Sequence, residues 1–427
     1  MTVFPKLPVL EAIAASLGRS NAECLRNVVL VCSQHILETT GSLVEALLSC
    51  GANPQHVFVL GKHYSTNATV AEKLTMLGIT VILGSQPNSP GYHDRAMTSD
   101  VHLLWQKVLE RCQGLRGYQL VVVDDGAHCL KAVPNVFRNM WTITAVEQTT
   151  SGLATYSSET TPCPLVAVAA CAIKREIEPY QIADEILRRT EDKLGRTCAT
   201  MQCGVLGLGS IGAALARSLV ERGATVNSFD RSDRTVGRVA SKGCFEEVLL
   251  ASDVVFGCTG NVDCFPVAAD LSDVRGERIL ASCSSSDFEF RELLRQRAPQ
   301  AIEAGVCPTL AVRWSSDLTL MILRSGFPVN FDNSPESVPG ERIQLTRGLL
   351  LAGILQAALV ASRCGDVQPE LLMLDPEWQS VALRAWTATG SMKFQNSDHL
   401  HNISWLAQHS RGKRLSRSAM NLEANRD

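Results

Sequence analysis

Short runs of Val, Ile and Leu alternate with segments of helical period through the first third of the chain. The runs predict strands, and the segments between them predict helices. In chain order these are a strand at 27–33, a helix face at 43–49, a strand at 56–60, a helix at 69–77, a strand at 80–83, a helix at 101–112 and a strand at 119–123. This alternation predicts a mostly parallel sheet with helices on both faces. Ligands bind beyond the carboxyl ends of such strands, where Asp124 and Asp125 follow the last run.

A second alternating series follows a charged helix predicted at 177–193. It consists of strands at 204–206, 224–229, 253–257 and 278–282, with a helix at 211–222. The predicted fold class is therefore α/β, with two doubly wound parallel-sheet domains. The charged stretch 188–196 is the candidate boundary, and an apolar helix at 345–361 is the candidate return to the first domain. The predicted domains are a substrate domain at 1–192, an inserted Rossmann domain at 193–344, and a return to the substrate domain with a tail at 345–427.

A glycine motif lies between the first strand and the first helix of the second series. Gly207 would make the tight turn, Gly209 would let the backbone approach a pyrophosphate, and Gly212 would let the helix pack close to the strand. Ser210 and Ile211 open the helix, whose free N–H groups suit phosphate. Because the motif follows a strand and opens a helix, it predicts a dinucleotide site.

An acidic residue, Asp230, ends the next predicted strand about twenty residues after the motif. A carboxylate there would bind the adenine-ribose hydroxyls and repel a 2′-phosphate, which favours NAD over NADP as the cofactor. Arg231 and Arg234 follow and weaken that preference. Small residues after the strand at 253–257 would lie against the dinucleotide. These are Cys258, Thr259, Gly260 and Asn261.

The composition narrows the function classes. Of 427 residues, 45% are hydrophobic and 19% charged, with a formal net charge of −3. These values are typical of a globular chain of two or three domains and argue against a nucleic-acid partner. The longest apolar stretch, 348–361, is too short to span a membrane, and the N-terminus carries Glu11 and lacks a basic leader. We therefore expect a cytoplasmic protein, with the basic residues between 411 and 417 as a solvated terminus.

Fifteen cysteines are scattered from Cys24 to Cys364 without a CxxC pair. In a chain without a secretion signal, this favours reduced and mostly buried thiols over a disulfide framework. Cys198 and Cys203 have no histidine at ligand spacing, so we expect no metal site.

Several further segments stand in order along the chain. They are Asp124-Asp125-Gly126, Glu147-Gln148-Thr149-Thr150-Ser151-Gly152, the glycine motif with Asp230, Cys258-Thr259-Gly260 and Val329-Asn330. In this order and spacing they resemble the S-adenosylhomocysteine hydrolase family. The resemblance implies a discontinuous substrate domain around an inserted NAD domain, in a homo-oligomer such as a dimer or tetramer. It also implies cofactor contacts from Thr149, Thr150, Ser151 and Asn330.

In that family, bound NAD oxidises a ribose hydroxyl, which allows elimination or hydrolysis at the 5′ position before the ketone is reduced again. The resemblance carries over three catalytic residues. Lys174 matches the lysine beside the reacting hydroxyl, Asp125 the aspartate near the 4′ and 5′ positions, and His35 the first active-site histidine. Burial lowers the pKa of a lysine, so such a residue can act as a base.

The substrate half departs from the family pattern at several positions. Gln148 replaces the second catalytic glutamate, and Glu178-Pro179 replaces an Asp-Asn pair. Asp287 stands in place of a histidine, and Glu336-Ser337-Val338 in place of a Gly-His-Pro segment. The adenosine-binding groups of the family are therefore largely absent.

These departures predict a divergent NAD-dependent enzyme that oxidises a ribose-like hydroxyl of a small molecule other than S-adenosylhomocysteine and enables elimination or hydrolysis. A catalytically silent NAD-bound scaffold or regulator is one alternative. The other is a plain NAD-dependent hydroxyacid dehydrogenase. For that activity Arg313 and Arg347 could clamp a carboxylate, but no histidine follows Asn330 before His399.

Overall fold

The computed structural model describes residues 3–18, 24–85, 92–157, 161–261, 264–266, 268–298, 307–362 and 368–390. Cys364 and the basic segment 411–417 lie outside the described residues. Fourteen cysteines in the described part of the chain are free thiols, and most of them are buried. This agrees with the prediction of reduced, buried thiols.

The described residues form two seven-stranded sheets with helices between the strands. The strands are β1 (Val28–Gln34), β2 (Val57–Gly61), β3 (Thr80–Ile82), β4 (Gln119–Asp124), β5 (Thr142–Glu147), β6 (Leu165–Ala167), β7 (Gln202–Leu206), β8 (Thr225–Phe229), β9 (Ala240–Ser241), β10 (Val254–Gly257), β11 (Gly276–Ser282), β12 (Leu310–Arg313), β13 (Leu318–Ile322) and β14 (Leu371–Met373). The α-helices are α1 (Pro8–Gly18), α2 (Glu38–Ser49), α3 (Ala68–Met76), α4 (Tyr92–Cys112), α5 (His128–Lys131), α6 (Asn135–Met140), α7 (Thr150–Ser157), α8 (Ala172–Leu194), α9 (Ser210–Glu221), α10 (Phe245–Leu250), α11 (Arg291–Arg297), α12 (Gly340–Ala361) and α13 (Pro376–Ala388). The predicted α/β class with two parallel-sheet units is confirmed.

Two compact units contain one sheet each. The first comprises the described parts of Met1–Ser85, Met97–Glu178 and Asn333–Met420, and the second those of Gln86–Ala96 and Pro179–Asp332. The charged stretch proposed as a boundary lies largely inside α8, which continues to Leu194. The domain limits at 192 and 344 remain predictions.

The first sheet has the strand order β14-β6-β5-β4-β1-β2-β3, and every described pairing in it is parallel. All seven residues of β1 are buried, because helices cover both faces of the sheet. Two further strands and their helices separate β1 from β4 along the chain, yet the two strands are neighbours. The carboxyl ends of β1 and β4 therefore form a topological switch point, where α/β sheets place their ligands.

The second sheet repeats this plan, with the order β12-β13-β11-β10-β7-β8-β9. Its described pairings are parallel except for β12, which runs antiparallel to β13. Here the switch point lies between β7 and β10, and the glycine motif follows β7 directly.

The long apolar helix α12 belongs to the core of the first unit, where it packs against α1, α13 and β5. It begins at Gly340, five residues before the predicted start, and is long and apolar enough to pass as a membrane span, with a mean hydropathy of 1.6. However, 78% of that apolar window is buried inside the protein. A helix that is apolar on all sides is expected when protein surrounds it.

The structure also extends two predicted helices and adds strands. α4 starts at Tyr92 and not at 101, and α8 starts at Ala172 and runs through Pro179. Six strands had no predicted counterpart: β5, β6, β9, β12, β13 and β14. The short apolar run of β6 leads almost directly into α8, so the periodicity changes within a few residues and hides both boundaries.

Candidate functional site

The glycine motif of the second unit has the geometry of a dinucleotide cradle. Gly207 has φ of 85°, which makes the turn after β7. A Cβ at residue 212 would lie under 3.0 Å from the carbonyl oxygen of Gly207, so only glycine allows the start of α9 to approach the turn. A Cβ at residue 209 would meet no atom within 4 Å. Ser210 and Ile211 begin α9, whose first N–H groups and partial positive charge suit a phosphate group.

Asp230 follows β8 and is tied to the glycine motif. Its Oδ2 accepts a hydrogen bond from the Leu208 amide at 2.6 Å, and its Oδ1 accepts one from the Ser232 amide at 2.8 Å. A carboxylate has about four acceptor positions, so hydrogen bonds to ribose hydroxyls are still open to it. The predicted acid therefore lies beside the glycine motif, and its contact with a ribose remains a prediction.

The loop after β10 is held by a residue that the sequence did not single out. Glu289 is fully buried and accepts hydrogen bonds from the Gly260 amide at 2.7 Å and the Thr259 hydroxyl at 2.9 Å. Ser284 also donates to it. The backbone of this loop is thus fixed with Thr259, Gly260 and Asn261 exposed. Asp287, Arg291 and Glu292 surround it in the sequence, so no local signal distinguishes Glu289 from its charged neighbours.

Asn330, the last predicted cofactor residue in this unit, is buried beyond the end of β11. The amide of Val329 donates to the carbonyl of Ser282 at 3.0 Å, which holds the segment beside that strand end. Its contact with a cofactor remains a prediction.

The first unit carries a buried polar cluster at the carboxyl ends of four strands. His35 follows β1, Lys62 follows β2, Asp125 follows β4 and Gln148 follows β5. Asp125 is the centre of the cluster: it forms an ion pair with Lys62, accepts a hydrogen bond from Gln148 Nε2 at 2.5 Å, and lies 3.6 Å from His35 Nε2. The structure therefore brings predicted residues Asp125 and His35 together and adds Lys62, which sequence reasoning missed.

The charged groups of this cluster change one another's pKa values. Burial alone would raise the pKa of Asp125, but Lys62 and His35 outweigh it and hold that pKa well below its usual range. Burial likewise opposes the charge of Lys62, and Asp125 reverses this so that the lysine pKa is raised. Burial lowers the pKa of His35 to about 3, although Asp125 opposes the change. At neutral pH the cluster thus contains a carboxylate, an ammonium and a neutral imidazole.

Two fully buried carboxyl groups, Asp124 and Glu147, lie side by side at the ends of β4 and β5. Glu147 accepts hydrogen bonds from the Thr149 amide at 2.8 Å, the Thr149 hydroxyl at 2.7 Å and the Ala127 amide at 3.0 Å. Asp124 accepts one from the Leu130 amide at 2.8 Å. Burial, together with Asp124, raises the pKa of Glu147 to about 8. These groups hold the two loops that carry Asp125 and Gln148.

Thr149, Thr150 and Ser151 were predicted to contact the cofactor, and they lie in the first unit at the start of α7. Thr149 is engaged with Glu147, while Ser151 is exposed. Lys174 lies in the first turn of α8 and forms an ion pair with Glu178 on the next turn. The roles of these residues remain predictions.

Comparison with known proteins identifies one segment of the chain. Residues 168–261 match the family model of the NAD-binding domain of D-isomer specific 2-hydroxyacid dehydrogenase. The chain carries an NAD-binding domain. The matched segment contains β7, the glycine motif, Asp230 and the loop after β10, and the prediction of NAD as cofactor is confirmed.

Two relatives that align with most of the chain are described only as uncharacterised proteins. Two uncharacterised proteins of Mycobacterium tuberculosis, from strains CDC 1551 and H37Rv, are each 28% identical over 383 residues. The alignment covers 88% of this chain and 72% of each relative.

Solved structures of several dehydrogenases match parts of the chain. A D-isomer specific 2-hydroxyacid dehydrogenase from Xanthobacter autotrophicus is 18% identical over 28% of this chain and 61% of that chain, with a TM-score of 0.22. A glyoxylate/hydroxypyruvate reductase from Sinorhizobium meliloti is 13% identical over 59% and 83%, with a TM-score of 0.34. A formate dehydrogenase from Granulicella is 13% identical over 74% and 86%, also with a TM-score of 0.34. At these TM-scores the likenesses carry no argument about function.

The resemblance to S-adenosylhomocysteine hydrolase is wrong. The family model that matches is that of another family, and the hydrolase activity inferred from the resemblance falls with it. The segments behind the resemblance have structural tasks in this chain. Asp124 and Glu147 accept backbone hydrogen bonds, and Gly126 makes a turn with φ of 96°. Such residues recur wherever parallel strands end in tight loops.

Proposed function

We propose that the protein is an NAD-dependent oxidoreductase that interconverts a 2-hydroxy acid and the corresponding 2-oxo acid. The observation that carries the proposal is the NAD-binding segment 168–261, with its formed glycine cradle, and its similarity to the 2-hydroxyacid dehydrogenase domain. NAD supplies the hydride acceptor when it is bound. The remaining requirement is a group that takes the proton of the substrate hydroxyl.

A histidine beside a carboxylate meets that requirement, and the pair of His35 and Asp125 supports the proposal. Both residues precede the NAD-binding segment, whereas the sequence analysis looked for the histidine of a hydroxyacid dehydrogenase after Asn330. Neutral His35 has its Nδ1 2.5 Å from the Ser65 hydroxyl and its Nε2 3.6 Å from Asp125. Burial makes the His35 imidazole a weak base before substrate is bound, so we assign it as the group that accepts the hydroxyl proton in the same step in which the hydride leaves. The ionised Asp125 then stabilises the imidazolium that forms.

Glutamine at His35 tests this assignment. NADH formation from a panel of 2-hydroxy acids, and NADH consumption with glyoxylate, pyruvate and longer 2-oxo acids, are followed by absorbance. We expect His35→Gln to lower kcat about 10²–10⁴-fold without changing the affinity for NAD. His102→Gln, at an exposed position on α4, is the matched control.

Two results would refute the proposal. Protein that binds NAD but turns over none of these acids would be better described as a catalytically silent NAD-bound scaffold. A wild-type kcat in the H35Q variant would show that His35 is not the proton acceptor. A cytoplasmic location and assembly into a dimer or tetramer are further parts of the proposal, testable by fractionation and by light scattering.

A further inference from the structure

Two cysteines of the second unit meet at the turn that leads into β7. Cys198 opens the 3₁₀ turn Cys198–Thr200, and Cys203 is the second residue of the strand. Both side chains are fully buried in the same hydrophobic cluster. The Cys203 sulfur lies 3.6 Å from the Cys198 carbonyl oxygen and forms a hydrogen bond with the Cys198 thiol. The turn therefore brings the two thiols into contact.

The turn itself is anchored by backbone and side-chain hydrogen bonds. The Glu191 carboxylate on α8 accepts bonds from the Cys198 amide at 2.8 Å and from the Thr197 hydroxyl at 2.9 Å. The Met201 amide donates to the Cys198 carbonyl at 3.0 Å. The position of Cys198 relative to β7 is thus fixed by bonds that do not involve either sulfur.

The two thiols differ in how readily they ionise. The hydrogen bond from Cys203 lowers the pKa of Cys198 against the effect of burial. Arg222 and Arg196 also lower it, while Glu191 opposes them. The same hydrogen bond, together with burial, raises the pKa of Cys203. Cys198 is therefore the member of the pair that ionises first, and a thiolate beside a second thiol is the arrangement of a redox-active pair.

We propose that Cys198 and Cys203 form a site of reversible oxidation by hydrogen peroxide. The Cys198 thiolate takes one oxygen atom from the peroxide to form a sulfenic acid, and the second peroxide oxygen leaves as water after protonation. The Cys203 thiol then attacks the Cys198 sulfur, which forms the disulfide and releases a second water molecule. Two thiols and one peroxide thus give one disulfide and two water molecules, and dithiothreitol reverses the change.

The position of the pair favours a small oxidant. Neither sulfur is exposed, but Arg196, Thr197 and Thr200 around the turn are. β7 lies between β8 and β10 in the sheet, so Cys203 is held and the turn that carries Cys198 is the part that opens. Local opening of a surface turn admits a molecule of the size of peroxide. Oxidised glutathione is much larger, so we expect it to react more slowly.

The test treats the folded full-length protein with hydrogen peroxide, alkylates the remaining thiols and analyses the tryptic peptides by mass spectrometry. Residues 197–217 form one tryptic peptide, which contains Cys198, Cys203 and no third cysteine. In wild type most of this peptide is expected to lose two hydrogen atoms and to escape alkylation, and dithiothreitol is expected to restore both thiols. Cys244→Ser, at a half-buried cysteine of the same unit, is the matched control and should leave this result unchanged.

Serine variants separate the two roles. Cys203→Ser leaves the sulfenic acid without its partner, so dimedone is expected to label Cys198. Cys198→Ser removes the thiolate, and Cys203 is then expected to stay unlabelled. The wild-type experiment needs neither variant, so the disulfide is tested even if one of them does not fold.

Several results would overturn the inference. A peptide 197–217 that keeps both thiols in excess peroxide would show that the pair is not oxidised. A disulfide that appears only in urea would show that the folded protein does not form it. Dimedone labelling of Cys203 in C198S, or none of Cys198 in C203S, would contradict the assigned order of reaction.

Discussion

Alanine at Gly209 and alanine at Gly212 are expected to weaken NAD binding for different reasons, and the difference is measurable. Gly209 has φ of −65°, and a Cβ there would have no atom within 4 Å. Gly209→Ala therefore introduces no strain, and the loss of freedom in the unfolded chain adds about 0.4–1 kcal/mol of stability. The added methyl group instead occupies the space through which a pyrophosphate approaches the backbone.

Gly212 has no such space. A Cβ at residue 212 would lie under 3.0 Å from the carbonyl oxygen of Gly207 and 3.1 Å from Cys258 Cβ. The first of these is a backbone atom and cannot rotate away, so Gly212→Ala must move the turn or the start of α9. Overpacking of this kind costs about 1–3 kcal/mol, and each kcal/mol lowers Tm by about 2–4 °C in a unit of this size.

The assay is a calorimetric NAD titration combined with a thermal melt of each variant. G209A should raise the Kd for NAD about tenfold or more, equivalent to about 1.4 kcal/mol, with Tm unchanged or slightly higher. G212A should lower Tm and weaken NAD binding together. Gly114→Ala, at an exposed glycine of the first unit whose Cβ would also meet nothing within 4 Å, is the control. Wild-type affinity in G209A, or wild-type Tm in G212A, would refute the reasoning.

Three further predictions concern buried charge. Lys62→Met leaves the Asp125 carboxylate buried without its cation and should lower the free energy of unfolding, measured in urea, by about 3–5 kcal/mol. The double variant K62M/D125N should recover most of that loss. An equal loss in the single and the double variant would contradict this prediction. Burial raises the pKa of Glu336 to about 7, against about 4.3 in the unfolded chain. The folded state therefore binds this proton more tightly, and the stability that the bound proton contributes is lost as pH rises from about 4.3 to about 7. Glu336→Gln should flatten this part of the Tm profile, and identical profiles would count against it. Glu289→Gln removes the carboxylate that accepts hydrogen bonds from the loop 258–261. It should lower the free energy of unfolding by about 1–3 kcal/mol and weaken NAD binding in calorimetry. Unchanged values for both would show that the loop keeps its conformation without Glu289.

The strands and the glycine motif could be predicted because their signals are local. The buried strands β1 and β4 are continuous apolar runs, as strands covered on both faces must be. The role of a glycine depends on its own φ and on neighbours a few residues away, so the spacing from Gly207 to Gly212 is readable from sequence alone. Strand β5 was harder to predict, because its alternating Thr residues resemble those of a half-exposed segment although most of it is buried.

The polar cluster could be predicted only in part, since its partners come from distant parts of the chain. Lys62 and Asp125 are 63 residues apart, and Arg347 and Gln34 are 313 residues apart. Nothing in the sequence near Lys62 shows that it will be buried against a carboxylate. Glu289 was missed for the same reason, because the loop that it holds begins about thirty residues earlier.

In both units the candidate functional residues lie at the switch point of the sheet, but the residues there are of different kinds. In the second unit the loops after β7 and β10 are lined by glycine and small residues, which leaves room for the backbone to contact a ligand. In the first unit the strand ends beside the switch point between β1 and β4 carry long charged and amide side chains, which pair with one another. Substitutions in the glycine motif are therefore expected to act by filling space next to the backbone. Substitutions in the polar cluster around Asp125 are expected to act by leaving a buried charge without its partner. The alanine variants of Gly209 and Gly212 and the charge variants of Lys62 and Asp125 therefore examine two different kinds of site within one fold.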